Sequence, residues 1–288
     1  MKPAAVFVAV LYLLGPEVSH GAAAVNWVAL SVTTAKGEYL VAEPVVLQVS
    51  LSNTGRVPEE VFSELTKGTG LMSYEVSEDG RQFRGIGAFY HHDPTGRSVR
   101  LNLGASLYHE EILLYDPSAK ALIFPHAGLY GVRITYPWTE PVTIGVTVKE
   151  PTTLEDVLDS HIMGLPEVLY LVTPHLAKQE RGVDELRTCA AHSSSYALYA
   201  AYFLAKKQID ESSRPDLENR QGEVLALLQK ADTPGFPLRH EAAYLKAMAY
   251  VRLGQQVKAQ EQFGRIRRDF PRFPTSKLND LATAVGRM

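Results

Sequence analysis

The apolar residues of this chain change their spacing once, and that change limits what the chain can fold into. Up to about residue 150 they alternate: Val28, Leu30 and Val32; Val45, Leu47, Val49 and Leu51; Met72, Tyr74 and Val76; Tyr130, Val132, Ile134 and Tyr136; Val142, Ile144, Val146 and Val148. A period of two sets one face of a strand against a core and leaves the other in water, as in antiparallel sheets. Turn formers stand between the runs, at Gly37, Pro44, Asn53-Thr54-Gly55, Asp79-Gly80, Pro94-Thr95-Gly96 and Pro137. Beyond Pro151 the spacing becomes that of amphipathic helices. The stretch 148–155 (VKEPTTLE) is the boundary, because proline ends the last ladder and Thr152 with Glu155 has capping-box spacing. So short a linker predicts two halves held in limited relative orientation. The expected division is an all-β domain over residues 25–150 and an all-α domain over 151–288.

The first 24 residues fit neither half. Lys2 precedes an apolar run from Ala4 to Leu14, then a Gly/Pro break and the small residues Gly21-Ala22-Ala23-Ala24. That is the layout of a secretory signal peptide, with cleavage expected after Ala24 and a periplasmic or secreted product. The apolar run falls short of the roughly 20 residues a bilayer requires, and no transmembrane span is expected after it. Cys189 is the only cysteine, so an exported chain would hold without an internal disulfide, which suits a bacterial periplasm. Its neighbours are apolar apart from Arg187, which predicts a buried, inert thiol. Residues 25–150 carry 10 Lys and Arg against 14 Asp and Glu, and residues 151–288 carry 18 against 17. Neither balance suits nucleic-acid binding.

Within the β half, Glu38-Tyr39 followed by Glu43-Pro44-Val45 and a long alternating run to Asn53 resembles the opening of bacterial immunoglobulin-like domains. The peptide over 124–132 (FPHAGLYGV) resembles the turn into a late strand of such domains. The resemblance implies a β-sandwich in which Tyr130 bonds back to backbone, with Val49 and Val132 in place of the usual Cys pair. Three spots suggest chemistry. Tyr90-His91-His92-Asp93 collects metal-ligand types, but adjacent side chains in an extended chain point opposite ways. His109-Glu110-Glu111 begins a zinc-protease motif whose second histidine is replaced by Leu113. Gly85-Ile86-Gly87 lacks the third glycine and the helix of a dinucleotide loop and reads as a bulged hairpin. No metal and no cofactor are expected.

In the α half, the periodicity predicts a short helix from Leu154 that Gly164 and Pro166 interrupt. Further helices are predicted over 167–179 (broken at Pro174), 184–190, 195–207 and 216–230, with 208–215 a loop, and a terminal helix over 275–288. Residues 240–271 (HEAAYLKAMAYVRLGQQVKAQEQFGRIRRDFP) read as two helices folded on each other. Ala247 and Ala259 allow close approach, Tyr250 and Phe263 fill the seam, Gly254 turns the chain and Pro271 stops it. This pair resembles a tetratricopeptide repeat (TPR), and 195–230 resembles a degenerate one. The resemblance implies that Tyr244, Met248 and Arg252 project from the first helix toward a concave face and bind a protein or peptide partner. The basic residues Arg265, Arg267, Arg268 and Arg272 suit a helix C-terminus and require no ligand.

These readings lead to a non-enzymatic exported scaffold, an immunoglobulin-like sandwich followed by a TPR-like helical domain, binding other envelope proteins. Two alternatives remain open: a hydrolase with its site at the domain junction, and a carbohydrate-binding sandwich using Trp27, Tyr90 and Trp138.

Overall fold

The computed structural model describes residues 27–67, 71–88, 98–172 and 180–286; the expected signal peptide, Tyr90, His91, His92 and Pro174 lie outside them. Its strands are β1 (Val28–Thr34), β2 (Glu38–Leu40), β3 (Val45–Asn53), β4 (Glu59–Phe62), β5 (Ser73–Ser77), β6 (Arg84–Gly85), β7 (Ser98–Leu101), β8 (Ser106–Leu113), β9 (Tyr115–Asp116), β10 (Ala121–Leu122), β11 (Gly128–Thr135) and β12 (Val142–Lys149). One sheet runs β1-β3-β8 and another β2-β12-β11-β5-β6; β4 pairs with β7, and β9 with β10. All pairings are antiparallel except that of β2 with β12. The alternating residues point into one apolar cluster shared by the two larger sheets. Leu30, Val32, Leu47, Val49 and Leu51 come from one side, and Tyr74, Val76, Tyr130, Val132, Ile134, Val146 and Val148 from the other.

The tyrosines of this cluster bury their rings and tie their hydroxyls to backbone, which removes the cost of an unpaired buried O–H. Tyr130 donates to the His126 carbonyl at 2.9 Å, the bond expected from the sequence. Tyr74 donates to Leu65 O at 2.9 Å, and the Tyr136 hydroxyl accepts from Phe62 N–H at 2.9 Å. The last two fasten the β4 region to the main sheet.

The helices are α1 (Leu154–Met163), α2 (Pro166–Val172), α3 (Glu180–Ala191), α4 (Ala197–Glu211), α5 (Arg214–Asn219), α6 (Gln221–Ala231), α7 (Arg239–Arg252), α8 (Gln256–Asp269) and α9 (Thr275–Gly286). Several boundaries differ from the sequence reading. The α1 cap is Thr153 rather than Thr152: its hydroxyl accepts from Asp156 N–H at 3.1 Å and donates to the Asp156 carboxylate at 2.7 Å. The stretch 208–215 is largely helical. α4 continues to Glu211, because Ile209 still has a core to enter, and Ser213 caps α5 by accepting from Asp216 N–H. The helix expected over 216–230 is split at Arg220, whose backbone (φ −104°, ψ 9°) leaves the helical region. In α4, Tyr199, Ala200, Tyr202, Phe203 and Leu204 are all buried, because α3, α6 and α7 pack around it.

α7 and α8 form the expected hairpin. Ala247 and Ala259 are fully buried between them, and Gly254 turns the chain at φ +71°. Asp232, at the end of α6, joins the pair: its buried carboxylate takes Arg239 Nε at 3.1 Å and Arg265 Nη2 at 2.7 Å. Burial alone would raise this carboxyl, but the hydrogen bonds and charges of Arg265 and Arg239 outweigh it and hold it below its ordinary value.

The two halves share a core. Ala42, Val46, Leu114 and Tyr115 from the strand region lie in one cluster with Met163, Leu186, Cys189, Tyr196, Tyr199 and Phe203 from the helices, and Ile112 packs against it. Val46 and Ile112 are register partners on β3 and β8, so this patch of the sheet is buried on both faces. The Tyr196 hydroxyl closes the contact by donating to the Val41 carbonyl at 2.6 Å. Buried Glu43 sits beside it, bonded to Lys36 and to Leu40 N–H. The restraint on relative orientation is thus a packed interface, and the short linker is secondary.

Candidate functional site

The three partner-binding candidates have internal contacts. Tyr244 is half-buried, with the Phe273 ring 5.5 Å away and the Lys277 ammonium 5.7 Å over its own ring. Met248 packs against the cluster built on Ala243, Ala247 and Ile266. The Arg252 guanidinium donates to the Ser212 carbonyl. The segment leading into α9, and α9 itself, cover the face expected to be concave.

A more elaborate polar arrangement, not singled out from the sequence, joins α1 to the α3–α4 turn. Asp159 is fully buried. One carboxylate oxygen meets His192 Nδ1 at 2.7 Å, and the other accepts from the Ser194 hydroxyl. Ser194 Oγ in turn accepts at 3.2 Å from the N–H of Ala197, the first residue of α4. Ser193 N–H and Ser195 N–H donate to Glu155 and Asp156, and Lys230 Nζ holds the carbonyls of Ala190 and His192 at 2.6 and 2.7 Å. The residue types are those of a hydrolytic triad, but the connections differ. A nucleophilic serine needs its hydroxyl on the histidine, whereas here serine and histidine both bond the same carboxylate. The Cys189 thiol beside Asp159 is buried, and burial followed by the Asp159 charge pushes it far up, away from the thiolate. The arrangement is a clasp. It could be found in the sequence only by noticing that Asp159 falls on the buried side of its helix.

Two further histidines, His109 and His240, also face carboxylates. His109 Nε2 lies 3.3 Å from Glu111, whose carboxylate also takes Lys67 N–H at 3.0 Å. Burial would raise Glu111, but the His109 bond and the Lys67 and His109 charges hold it below its ordinary value. At the junction, His240 Nε2 approaches Glu110 to 2.7 Å, off the line of a hydrogen bond. Among the described residues no three His, Cys, Asp or Glu side chains gather as a metal site. Two open depressions, of about 450 and 410 Å³, flank the turn at Glu78–Asp79. Asp79 Oδ1 is engaged by Ser77, Arg81 and Gln82; the N–H bonds of Gln82 and Arg81, with the Ser77 hydroxyl, hold the carboxyl at about 2.

What the clasp leaves outside is the more informative feature. α1 turns one acidic residue, Asp159, inward and three apolar ones outward: Leu154, Val157 and Leu158 are 76%, 46% and 51% exposed. They lie at i, i+3 and i+4 and form one stripe. Asp159 and Met163 occupy the buried side. For Asp159 and this stripe an amphipathic helix normally does the reverse, while Met163 follows the usual pattern.

No family model matches the chain, and no curated protein is significantly similar to it. Among solved structures, a β-glucosidase from Erythrobacter marinus aligns with 42% of this chain and 15% of its own length, at 11% identity and a TM-score of 0.28. A likeness at that level carries no argument about fold or activity. No helix among the described residues is long and apolar enough to cross a membrane.

Proposed function

We propose that the chain is a non-enzymatic protein-binding module of the bacterial envelope: an exported immunoglobulin-like sandwich that carries a TPR-like helical half and docks a partner protein on α1. The observation that carries this reading is the outward stripe of Leu154, Val157 and Leu158. A helix anchored by Met163 and by the Asp159–His192–Ser194 clasp has kept its leucines for solvent. Exposed contiguous apolar side chains of this kind mark interaction sites, and i, i+3 and i+4 anchors are what a helix presents to an apolar groove of its partner. The proposed fold names draw support from the A-like β2 strand running parallel to β12, the Tyr130 corner bond and the α7–α8 hairpin with Gly254 at its turn. Export rests on the layout of the first 24 residues.

The reading is tested by mild crosslinking in envelope preparations of the cells that make the protein. Wild-type chain is expected to give a discrete heteromeric adduct that the Leu154→Glu/Leu158→Glu double variant, equally folded, does not give. Identical adducts from both would remove α1 from the account, and no adduct from either would count against the scaffold reading itself.

A further inference from the structure

The edge of β12 is open where the strand begins. β12 pairs with β11 from Val142 to Val148, but β2 covers its other side only from Thr147 to Lys149. Successive residues of a strand send their N–H and C=O groups to opposite sides in the plane of the sheet. Val41 N–H donates to the Lys149 carbonyl on the β2 side, so the odd-numbered residues of β12 face that side and the even-numbered ones face β11. The rest of the sheet has the matching parity. Ile86 N–H takes the Tyr74 carbonyl on the β6 side, which leaves Glu75 and Ser77 to bond Arg133 and Gly131, and the even-numbered residues of β11 to bond β12. The backbone groups of Thr143 and Gly145 therefore point out of the sheet edge, at exposed positions, with no strand paired to them among the described residues. Edge strands are ordinarily blunted by a charged side chain, a proline or a bulge. Residues 142–146 (VTIGV) have none of these, and their register with β11 is unbroken.

The two sides of the open edge specify the partner. N–H and C=O groups at strand spacing are matched by the backbone of an extended peptide. On the inner side, Val142 and Ile144 pack against the sandwich core but stay half-buried, so apolar side chains of an added strand would complete their cover. On the outer side, Thr143 and Gly145 border the depression of about 410 Å³. Gly131 and Gly145 are register partners there and bring no side chains to it. Glu78 and Asp79 line it too, and no cation is among its lining residues. The Asp79 carboxyl, held at about 2 by N–H bonds from Gln82 and Arg81 and by the Ser77 hydroxyl, is ionised at neutral pH. An added strand sends alternate side chains to these two sides, and Gly145 leaves the way across β12 to the acidic turn open for a lysine or arginine. Nucleic acid and anionic lipid would be repelled by the same carboxylates. A second copy does not fit: in a two-fold pairing of β12 with itself, each β2 would meet residues 139–141 of the other copy. We infer that the free edge of β12 at Thr143 and Gly145 takes an extended segment of a partner protein in which apolar residues alternate with lysine or arginine. The site is separate from the α1 face and does not depend on it.

The test is NMR of the isotope-labelled full chain titrated with an acetylated, amidated heptapeptide that alternates valine and lysine. The amide protons of Thr143 and Gly145 should shift saturably, and their exchange with solvent should slow by about tenfold or more at saturation. Two control peptides separate backbone pairing from charge. One is N-methylated on the residues whose N–H groups would face β12, and the other has glutamate in place of lysine. Each should bind about tenfold more weakly or worse. Gly145→Pro removes an outward N–H that β11 does not use, so it should melt near wild type and lose binding. Gly145→Lys tests the same edge without altering the backbone, and it should also lose binding. Glu78→Gln should keep the fold and weaken binding of the lysine peptide. The inference is overturned if millimolar lysine peptide leaves Thr143 and Gly145 unmoved, if either control peptide binds equally well, or if Gly145→Lys binds as wild type does. Slow exchange of these two amides in the free protein would mean that the chain itself or a second copy already covers the edge, and would overturn it too.

Discussion

The buried carboxylates Asp159 and Asp232 are each committed to specific neighbours, and their replacement should be costly in proportion. Asp159 holds a histidine and a serine, and through that serine the first N–H of α4. Asp159→Ala should destabilise by about 2–4 kcal/mol in urea denaturation, since it takes the shared partner from two part-buried polar side chains, His192 and Ser194. Cys189, buried and with its thiol pushed up, should react with a thiol reagent only as fast as the protein unfolds; rapid labelling of native protein would refute its placement. Asp232 offers a test by pH. Its carboxyl is held below its ordinary value of 3.8 by two arginines, so the native state binds that proton less readily than the unfolded chain. The stabilisation is full above the unfolded value and is lost as pH falls through the folded one. Asp232→Asn should therefore cost stability at pH 6 and much less near pH 2.5. At Gly254, where φ is +71° and an added Cβ would meet Arg214 at 3.0 Å, alanine should cost about 1–2 kcal/mol.

At the scale of single elements, the alternating strands and the α7–α8 hairpin are legible in the sequence because each follows one period with its breakers in place. The helix boundaries between 195 and 231 are less so: Ser213 is an ordinary cap, but nothing local marks Arg220 as the split. The face of a helix is harder still. Leu154, Val157 and Leu158 make the same pattern whether they meet a core or solvent, and only the partners of Asp159, distant in sequence, decide which side is in. This orientation makes a sharp prediction. Leu158→Glu should change stability by less than about 0.5 kcal/mol, as exposed positions do. Met163→Ala, five residues along the same helix and fully buried, should cost about 2–5 kcal/mol. A large loss at Leu158 would mean that the stripe is core.

On the scale of the whole molecule, the shared cluster around Val46, Ile112, Met163 and Phe203 makes the two halves one cooperative body. The chain's two tryptophans, Trp27 and Trp138, both lie in the strand region, so fluorescence follows that half while circular dichroism near 222 nm follows the helices. The two probes should report the same urea midpoint, and Val46→Asp should separate them. The interface was partly written in the sequence, in the unbroken apolar runs Val45-Val46-Leu47 and Ile112-Leu113-Leu114, which no one-sided strand requires. The expected concave face at Tyr244, Met248 and Arg252 was not foreseeable as covered, because the covering residues Phe273 and Lys277 belong to a separate amphipathic pattern. The docking face on α1 is the claim on which the functional account turns. The most direct measurement is site-specific photo-crosslinking in cells, with benzoylphenylalanine placed at Val157 and, as a still more exposed apolar control on α8, at Val257. The account predicts a discrete protein adduct from position 157 and none from 257. No adduct from 157, or the same adducts from both positions, would contradict it.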